Sequence, residues 1–181
     1  MIAIRLAQPG DLPALFAYLG EQLLENGRDG TPLFQPMART SDPAVPEAMR
    51  ARFSKGVATP PGEPGWRRAW IAVAEDGAIA GHIDLRAHPE ANAPHRTVLG
   101  MGVHHAYRRH GLGTRLIDTA LDWARTTPPF AWVDLEVLSA NLPARHLYER
   151  TGFETVGEFP DLYRIDGESF ASVAMTQRLH C

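Results

Sequence analysis

The stretch that decides the fold reads VLGMGVHHAYRRHGLGT, from Val98 to Thr114. Its apolar first part predicts a strand, and the pattern Arg108-x-x-Gly111-x-Gly113 then leads directly into the start of a helix. Two glycines let the main chain come close to an anion, and the first amides of a helix, at the positive end of its dipole, can bind that anion. The stretch therefore predicts a strand, a pyrophosphate-binding loop and a helix in direct succession.

The residues after the loop decide between kinds of anion-binding motif. A dinucleotide fingerprint requires a third glycine where Leu116 stands, and a P-loop requires Lys-Ser or Lys-Thr where Thr114-Arg115 stands. On the Gly-x-Gly alone, an ordinary strand-to-helix turn stays an open alternative. The spacing of the apolar residues nevertheless predicts a helix buried on one side, through Leu112, Leu116, Ile117, Ala120 and Leu121.

A second motif follows the apolar run Trp132–Leu138 and reads NLPARHLYERTGF from Asn141 to Phe153. The order and spacing of the loop motif and of Asn141-x-x-Ala144-x-x-x-Tyr148-Glu149 resemble the GNAT superfamily of N-acetyltransferases. The resemblance is specific over residues 98–159 and looser elsewhere.

This resemblance implies a fold and a domain organisation. We expect an α/β (α+β) protein with one N-acetyltransferase domain over residues 1–181, built on a mixed, mostly antiparallel sheet of about seven strands with helices on both faces. Residues 97–159 would form the acetyl-CoA-binding core. Residues 25–65, where Gly and Pro interrupt the periodicity, would form a variable segment on the acceptor side.

Composition agrees with one compact enzyme domain. The chain has 181 residues, 44% of them hydrophobic, which suffices for one core, and its net charge of −3 argues against a nucleic-acid-binding surface. No apolar run approaches the roughly 20 residues that span a membrane, and the N-terminus reads as a strand rather than a signal peptide. The single cysteine, Cys181, has no intrachain partner, which fits a cytoplasmic protein.

The resemblance also implies acetyl-CoA as co-substrate. The backbone of residues 109–114 would bind the pyrophosphate, with Arg108 or Arg109 adding charge-assisted contacts. The pantetheine arm would lie along residues 101–103, with the Met101 amide polarising the thioester carbonyl, and Asn141 would bind the pantetheine amides. The implied cofactor-binding residues are Met101, Gly102, Val103, Arg108, Arg109, His110, Gly111, Leu112, Gly113, Thr114, Asn141 and Ala144.

Two glycines alternate with apolar residues on the strand before the loop. Gly100 and Gly102 fall on one face of it, and Leu99, Met101 and Val103 on the other. The glycines could relieve packing against a helix, or a ligand could lie against the backbone there. The loop that follows favours the ligand.

Tyr148 matches the general acid of the family. A phenol with an ordinary pKa of ~10 is protonated at neutral pH and can donate to a departing thiolate. The alternative from the residues alone is an aromatic ring that packs in the core.

The proton acceptor is less well defined, because the strand before the loop carries no glutamate. We name Glu136 as the candidate, beside Asp84, Asp134 and the histidines His82, His104 and His105; a water chain could also carry the proton away. His104, His105 and His110 lack the spacing of a zinc site, so we predict no metal.

The sequence thus predicts an acetyl-CoA-dependent N-acetyltransferase acting on a primary amine, of a small molecule such as an amino acid, by direct attack in a ternary complex. A protein N-terminus or an aminoglycoside stays open as acceptor. The alternative from another class is a noncatalytic acyl-CoA-binding sensor. A homodimer is also open, because Phe159, Leu162, Tyr163 and Phe170 could form an interface or close the core.

Overall fold

A computed structural model describes residues 1–127 and 129–179 of the chain. Cys181 lies outside these residues. Seven strands and four helices follow one another along the chain as β1 (Ala3–Leu6), α1 (Leu12–Glu25), α2 (Glu47–Ala58), β2 (Arg67–Val73), β3 (Ile79–Ala87), β4 (Arg96–Val103), α3 (Leu112–Arg125), β5 (Trp132–Leu138), α4 (Leu142–Arg150), β6 (Glu154–Ile165) and β7 (Glu168–Arg178).

The strands form one sheet in the order β1-β2-β3-β4-β5-β7-β6. Neighbours are antiparallel except β4 and β5, which are parallel because helix α3 crosses over between them. The mixed, mostly antiparallel sheet predicted from the sequence is therefore confirmed. The terminal hairpin turns at Asp166–Gly167.

The two faces of the sheet carry different layers. One face packs against α3, whose predicted apolar stripe is buried together with the inward residues of β3, β4 and β5. The other face packs against α1 and α2, through a smaller cluster that includes Leu15, Phe53 and Ile71. This second face also carries the polar residues of β3, because side chains alternate along a strand.

The β4–β5 seam positions the site. Pairing runs over three residue pairs, from Arg96 with Trp132 to Val98 with Asp134. Beyond it, within the described sheet, residues 99–103 of β4 and 135–138 of β5 do not pair with each other, while β3 and β7 pair with their outer edges. A slot with main-chain groups along its β4 side therefore opens next to the predicted pyrophosphate loop.

The segment between α1 and α2 is held by one buried side chain. Asn26 is 1% exposed; its Oδ1 accepts from the amides of Phe34 (2.8 Å) and Gln35 (2.9 Å), and its Nδ2 donates to the Gln35 (3.1 Å) and Met37 (3.4 Å) carbonyls. One side chain thus replaces the secondary structure that would otherwise satisfy these groups.

Gly20 of α1 lies against the same segment. A Cβ at this position would stand 1.9 Å from the Pro43 carbonyl oxygen, a backbone atom that cannot rotate away. We therefore expect Gly20→Ala to lower the free energy of unfolding, measured with urea, by about 1–3 kcal/mol.

The matched control is Gly157→Ala, because a Cβ at Gly157 meets nothing within 4 Å. Its unfolding free energy should change by no more than about 0.5 kcal/mol. Alanine is the better helix former by about 1 kcal/mol, so a Gly20→Ala protein more stable than the parent would contradict the contact.

Two further observations concern the surface. None of the helices described for residues 1–127 and 129–179 has both the length and the apolarity needed to cross a membrane. Of the four residues considered for an interface, Phe159 and Leu162 on β6 are exposed, whereas Tyr163 and Phe170 pack around a small core of Leu33, Leu138 and Ile165. The second pair therefore helps to close the core.

Candidate active site

The loop before α3 has the backbone that anion binding requires. Arg109 (φ 65°) and Gly111 (φ 75°) adopt left-handed conformations, and Gly111 is the N-cap of α3. Among the described residues, no carbonyl or side chain accepts a hydrogen bond from the amides of residues 109–114. Free amides at a helix N-terminus are the partners that a pyrophosphate takes.

Arg108 is committed within the protein. Its Nε donates to the Val103 carbonyl (2.9 Å) and its guanidinium to Glu25 (2.7 Å), so it ties the loop to β4 and α1. Arg109 and His110 are exposed. Of the two arginines considered for the pyrophosphate, Arg109 is therefore the one with its side chain on the surface.

Glu25 also contacts His105, and the ligand atoms of Glu25, His104 and His105 lie within 4.8 Å of one another. The three residues could hold a metal ion by distance. The same carboxylate, however, already accepts from Arg108. The sequence pointed to the histidines but not to Glu25, because α1 is far from them along the chain.

A continuous groove of about 1780 Å³ brings the predicted site residues together. The predicted pyrophosphate loop, the β4 side of the slot, Asn141, Tyr148 and Glu136 all line it; of the predicted cofactor-binding residues, His110 does not. Residues 101–103 are partly exposed, so their main chain can be reached from the groove.

Asn141 and Ala144 share a local role at the start of α4. The Asn141 side chain caps the helix and accepts from the Ala144 amide at 3.4 Å. A capping asparagine keeps its amide group available, so the cap and the predicted contact with pantetheine are compatible.

Tyr148 has features of both roles that the sequence left open, a ring packed in the core and a proton donor in the site. The residue is 8% exposed and its ring packs edge-to-face on Phe153, with ring centroids 5.8 Å apart, while the residue also lines the groove. Burial raises the pKa of Tyr148 to about 12. The phenol therefore stays protonated at neutral and mildly alkaline pH and can act as a proton donor.

The three carboxylates considered as proton acceptors have different partners. Asp134 is held by Arg96, whose Nε donates at 2.6 Å, and by the Thr176 hydroxyl at 2.6 Å. Asp84 lies between two arginines, described below. Glu136 is exposed, and within the described part of the chain its carboxylate accepts one hydrogen bond, from the Ser172 hydroxyl at 3.5 Å, so it is the least engaged of the three.

His82 is buried, with 8% of its surface exposed, and its Nδ1 lies 3.5 Å from the Tyr18 hydroxyl. Burial lowers the pKa of His82 to about 4, so the ring is neutral at pH 7. It lies next to Gly102, where a Cβ would stand 3.1 Å from the His82 ring and 3.2 Å from the Tyr18 oxygen.

Gly100 and Gly102 therefore lie against protein side chains. At Gly100 a Cβ would stand 2.7 Å from the Arg86 guanidinium and 2.9 Å from Asp84. The interpretation that a ligand lies against the glycine face needs correction, because side chains from β3 and α1 already occupy the space beside both glycines. The glycines make room for a polar layer in the groove.

The sequence reasoning missed the arginines of this layer. Arg67 on β2 and Arg86 on β3 both contact Asp84, at 3.2 and 3.3 Å. The available signal was the alternation His82-x-Asp84-x-Arg86 in a strand that is otherwise apolar. Such a pattern places charges on one face of a central strand.

Comparison with known proteins identifies a family. The family model described as "Acetyltransferase (GNAT) family" matches residues 39–153. The N-alpha-acetyltransferase RimI of Mycobacterium tuberculosis is 29% identical over 117 residues, which are 65% of this chain and 68% of that protein.

Solved structures share the fold. A GNAT-family acetyltransferase from Streptococcus pneumoniae superposes with a TM-score of 0.80 at 24% identity, over 98% of this chain and 99% of that one. A GNAT-superfamily phosphinothricin acetyltransferase from Sinorhizobium meliloti, in complex with acetyl-CoA, gives 0.76 at 19% identity, over 98% and 88%. With the family match, the anion-binding loop and the slot beside it, the chain belongs to the GNAT acetyltransferase family and is an N-acetyltransferase that uses acetyl-CoA.

Proposed function

We propose that the protein transfers the acetyl group of acetyl-CoA to a primary amine of a small molecule, such as an amino acid, by direct attack in a ternary complex. The observation that carries this proposal is the single groove that joins the anion-binding loop, the β4–β5 slot and a charged face of the sheet. Donor and acceptor can therefore meet in one cavity, without a covalent intermediate on the enzyme.

In this proposal the donor is held mainly by the main chain. The free amides of residues 109–114 fit a pyrophosphate, and the partly exposed edge at Met101, Gly102 and Val103 fits the amide groups of pantetheine. Asn141 adds its side-chain amide from the N-terminus of α4. Bound acetyl-CoA supplies an activated acyl group as a thioester.

The residues of this chain then handle the charges of the reaction. The neutral amine nitrogen forms a bond to the carbonyl carbon, and the bond from that carbon to sulfur breaks. The Met101 amide stabilises the developing oxyanion, and Tyr148 gives its proton to the departing thiolate. Glu136 accepts, directly or through water, the proton that the acceptor's ammonium loses before attack. The nitrogen loses a second proton as it becomes an amide, and this proton restores the Tyr148 phenol through water.

The acceptor side is assigned to residues 25–65, which contribute Phe34, Gln35 and Phe53 to the groove. The name of the M. tuberculosis relative specifies an α-amino group. Free amino acids and protein N-termini both carry one, so both belong in the set of acceptors to test. The exposed Phe159 and Leu162 would serve a homodimer.

Two measurements on the full chain test the proposal. Calorimetry should show saturable acetyl-CoA binding, and a panel of amines, amino acids and N-terminal peptides should include acceptors that release free thiol. Release with small amines and not with peptides is the expected result. Binding without release on any acceptor would instead favour the acyl-CoA sensor, and no binding would contradict the proposed function altogether.

A further inference from the structure

Two arginines and one aspartate form a charged cluster on the acceptor side of the groove. Arg67 and Arg86 approach the same oxygen, Oδ1 of Asp84, at 3.2 and 3.3 Å. The Asp84 side chain is 4% exposed and that of Arg67 19%, whereas that of Arg86 is 36% exposed. All three line the groove, and the Arg67 guanidinium lies over the Phe53 ring, 4.3 Å from its centroid.

The cluster has more positive than negative charge. Burial lowers the pKa of Arg67, and Arg86 and Arg52 lower it further, while Asp84 alone raises it. Two guanidiniums that share one carboxylate in a partly desolvated site leave one positive charge without a counter-ion. A second anion would therefore be stabilised there.

Arg86 has donors to offer to such an anion. Its NH1 donates to Asp84, and among the described residues no other hydrogen bond is made by its guanidinium. A guanidinium presents five N–H donors in a planar fork that matches a carboxylate. Asp84 therefore orients Arg86 and leaves most of its donors facing the groove and solvent.

The cluster lies close to the part of β4 where the proposed function places the thioester, beside Met101. Asp84 pairs with Gly100, and Gly102 follows two residues later on the same face of β4. At about 3.3 Å per residue, the two positions are roughly 6–7 Å apart along the strand. An acceptor whose amine lies in the groove beside this polar layer, at the level of Gly102, can thus reach Arg86 with a group only a few bonds away.

A second, independent observation also points to a polar ligand. Gln22 of α1 is 5% exposed and lines the groove, and its Nε2 is buried without a hydrogen-bond partner. Its Oε1 is 3.4 Å from the Cβ position of Gly102. A buried amide donor without a partner is costly, so an acceptor oxygen from a ligand would stabilise it.

We propose that Arg86 and Arg67, held by Asp84, bind a carboxylate carried by the same acceptor molecule as the reactive amine. This inference rests on the proposed function and narrows it to amino-acid-like acceptors. Simple amines and polyamines bring only positive charge to a cluster that already has an excess, so they are disfavoured. Peptide N-termini lack the nearby free carboxylate.

The first test compares acceptors that differ in this one group. Thiol release is measured for a series of amino acids, each with its carboxamide and its decarboxylated amine. We expect the carboxylates to be preferred in kcat/KM. In Arg86→Gln, kcat/KM for the amino acids should fall by about 10- to 100-fold, the size expected for loss of a charge-assisted hydrogen bond. The kcat/KM values for the carboxamides and decarboxylated amines should change little.

The matched control is Arg125→Gln, which removes the same charge from an exposed arginine on α3 that does not line the groove. Its kcat/KM values for all three types of acceptor should equal those of the parent. Acetyl-CoA affinity should be unchanged in both variants, which shows that the fold and the donor site are intact. An equal loss for all three acceptor types, or a parent enzyme that prefers amides, amines or peptide N-termini, would overturn the inference.

A binding experiment separates this inference from the proposed function. N-acetylated amino acids are titrated by calorimetry into the complex of the enzyme with coenzyme A, so that no turnover is needed. Binding by the parent that weakens about 10-fold or more in Arg86→Gln supports the subsite even if no acceptor is turned over. No binding by the parent, or equal binding by both proteins, refutes the subsite.

Discussion

Gly111→Glu is expected to raise the dissociation constant of acetyl-CoA by two orders of magnitude or more, as like charges in direct contact cost several kcal/mol. A Cβ at Gly111 meets nothing within 4 Å, so the new side chain has room and the protein can fold. Its carboxylate would stand at the N-terminus of α3, beside the free amides of the loop. There it would compete with the pyrophosphate for those amides and repel it.

Gly111→Gln separates charge from backbone strain. Glutamine has the size of glutamate and the same difficulty with the left-handed φ of 75°, but no charge. The strain amounts to about 1–2 kcal/mol and should weaken binding only modestly. Calorimetry of both variants decides: if Gly111→Glu and Gly111→Gln bind acetyl-CoA alike, the loop is not the pyrophosphate site.

Tyr148→Phe is expected to lower kcat by about 100-fold while leaving the dissociation constant of acetyl-CoA unchanged, as expected for loss of a general acid. The ring remains packed on Phe153, so stability should be little affected. The thiolate would then depart without a proton donor. Thiol-release kinetics at saturating acceptor, with calorimetry for acetyl-CoA, measure the two quantities separately.

Tyr163→Phe is the matched control for Tyr148→Phe. It removes a hydroxyl from a partly buried tyrosine on β6 that also lines the groove. Its kcat should stay close to that of the parent. Full activity of Tyr148→Phe would remove Tyr148 from the chemistry, and a loss in acetyl-CoA affinity instead of kcat would make it a binding residue.

Much of the fold could be predicted from local sequence. The apolar stripe of α3 follows helical spacing, and all five residues named from that spacing are buried. The hairpins have turn residues between apolar runs, and the loop before α3 has a glycine, Gly111, at one of its two positions with a positive φ. These features depend on residues within one or two turns of each other, so the sequence shows them directly.

The charged face of the groove could not be predicted in the same way. Arg67 meets Asp84 through the register of β2 and β3, and Glu25 meets His105 across 80 residues of chain. Neither strand register nor the placement of α1 follows from local spacing. The glycines of β4 were misinterpreted for the same reason, because the side chains that lie against them come from α1 and β3.

Because β4 and β5 pair over only three residue pairs, donor binding and acceptor binding depend on side-chain identity to different degrees. In the proposed function, the donor's arm binds along the unpaired edge of β4, through N–H and C=O groups that nearly every amino acid possesses. The acceptor, in the inference drawn above, would bind through individual side chains of β2, β3 and α1. Single substitutions on that side can therefore change which amine is acetylated while the enzyme continues to use the same donor.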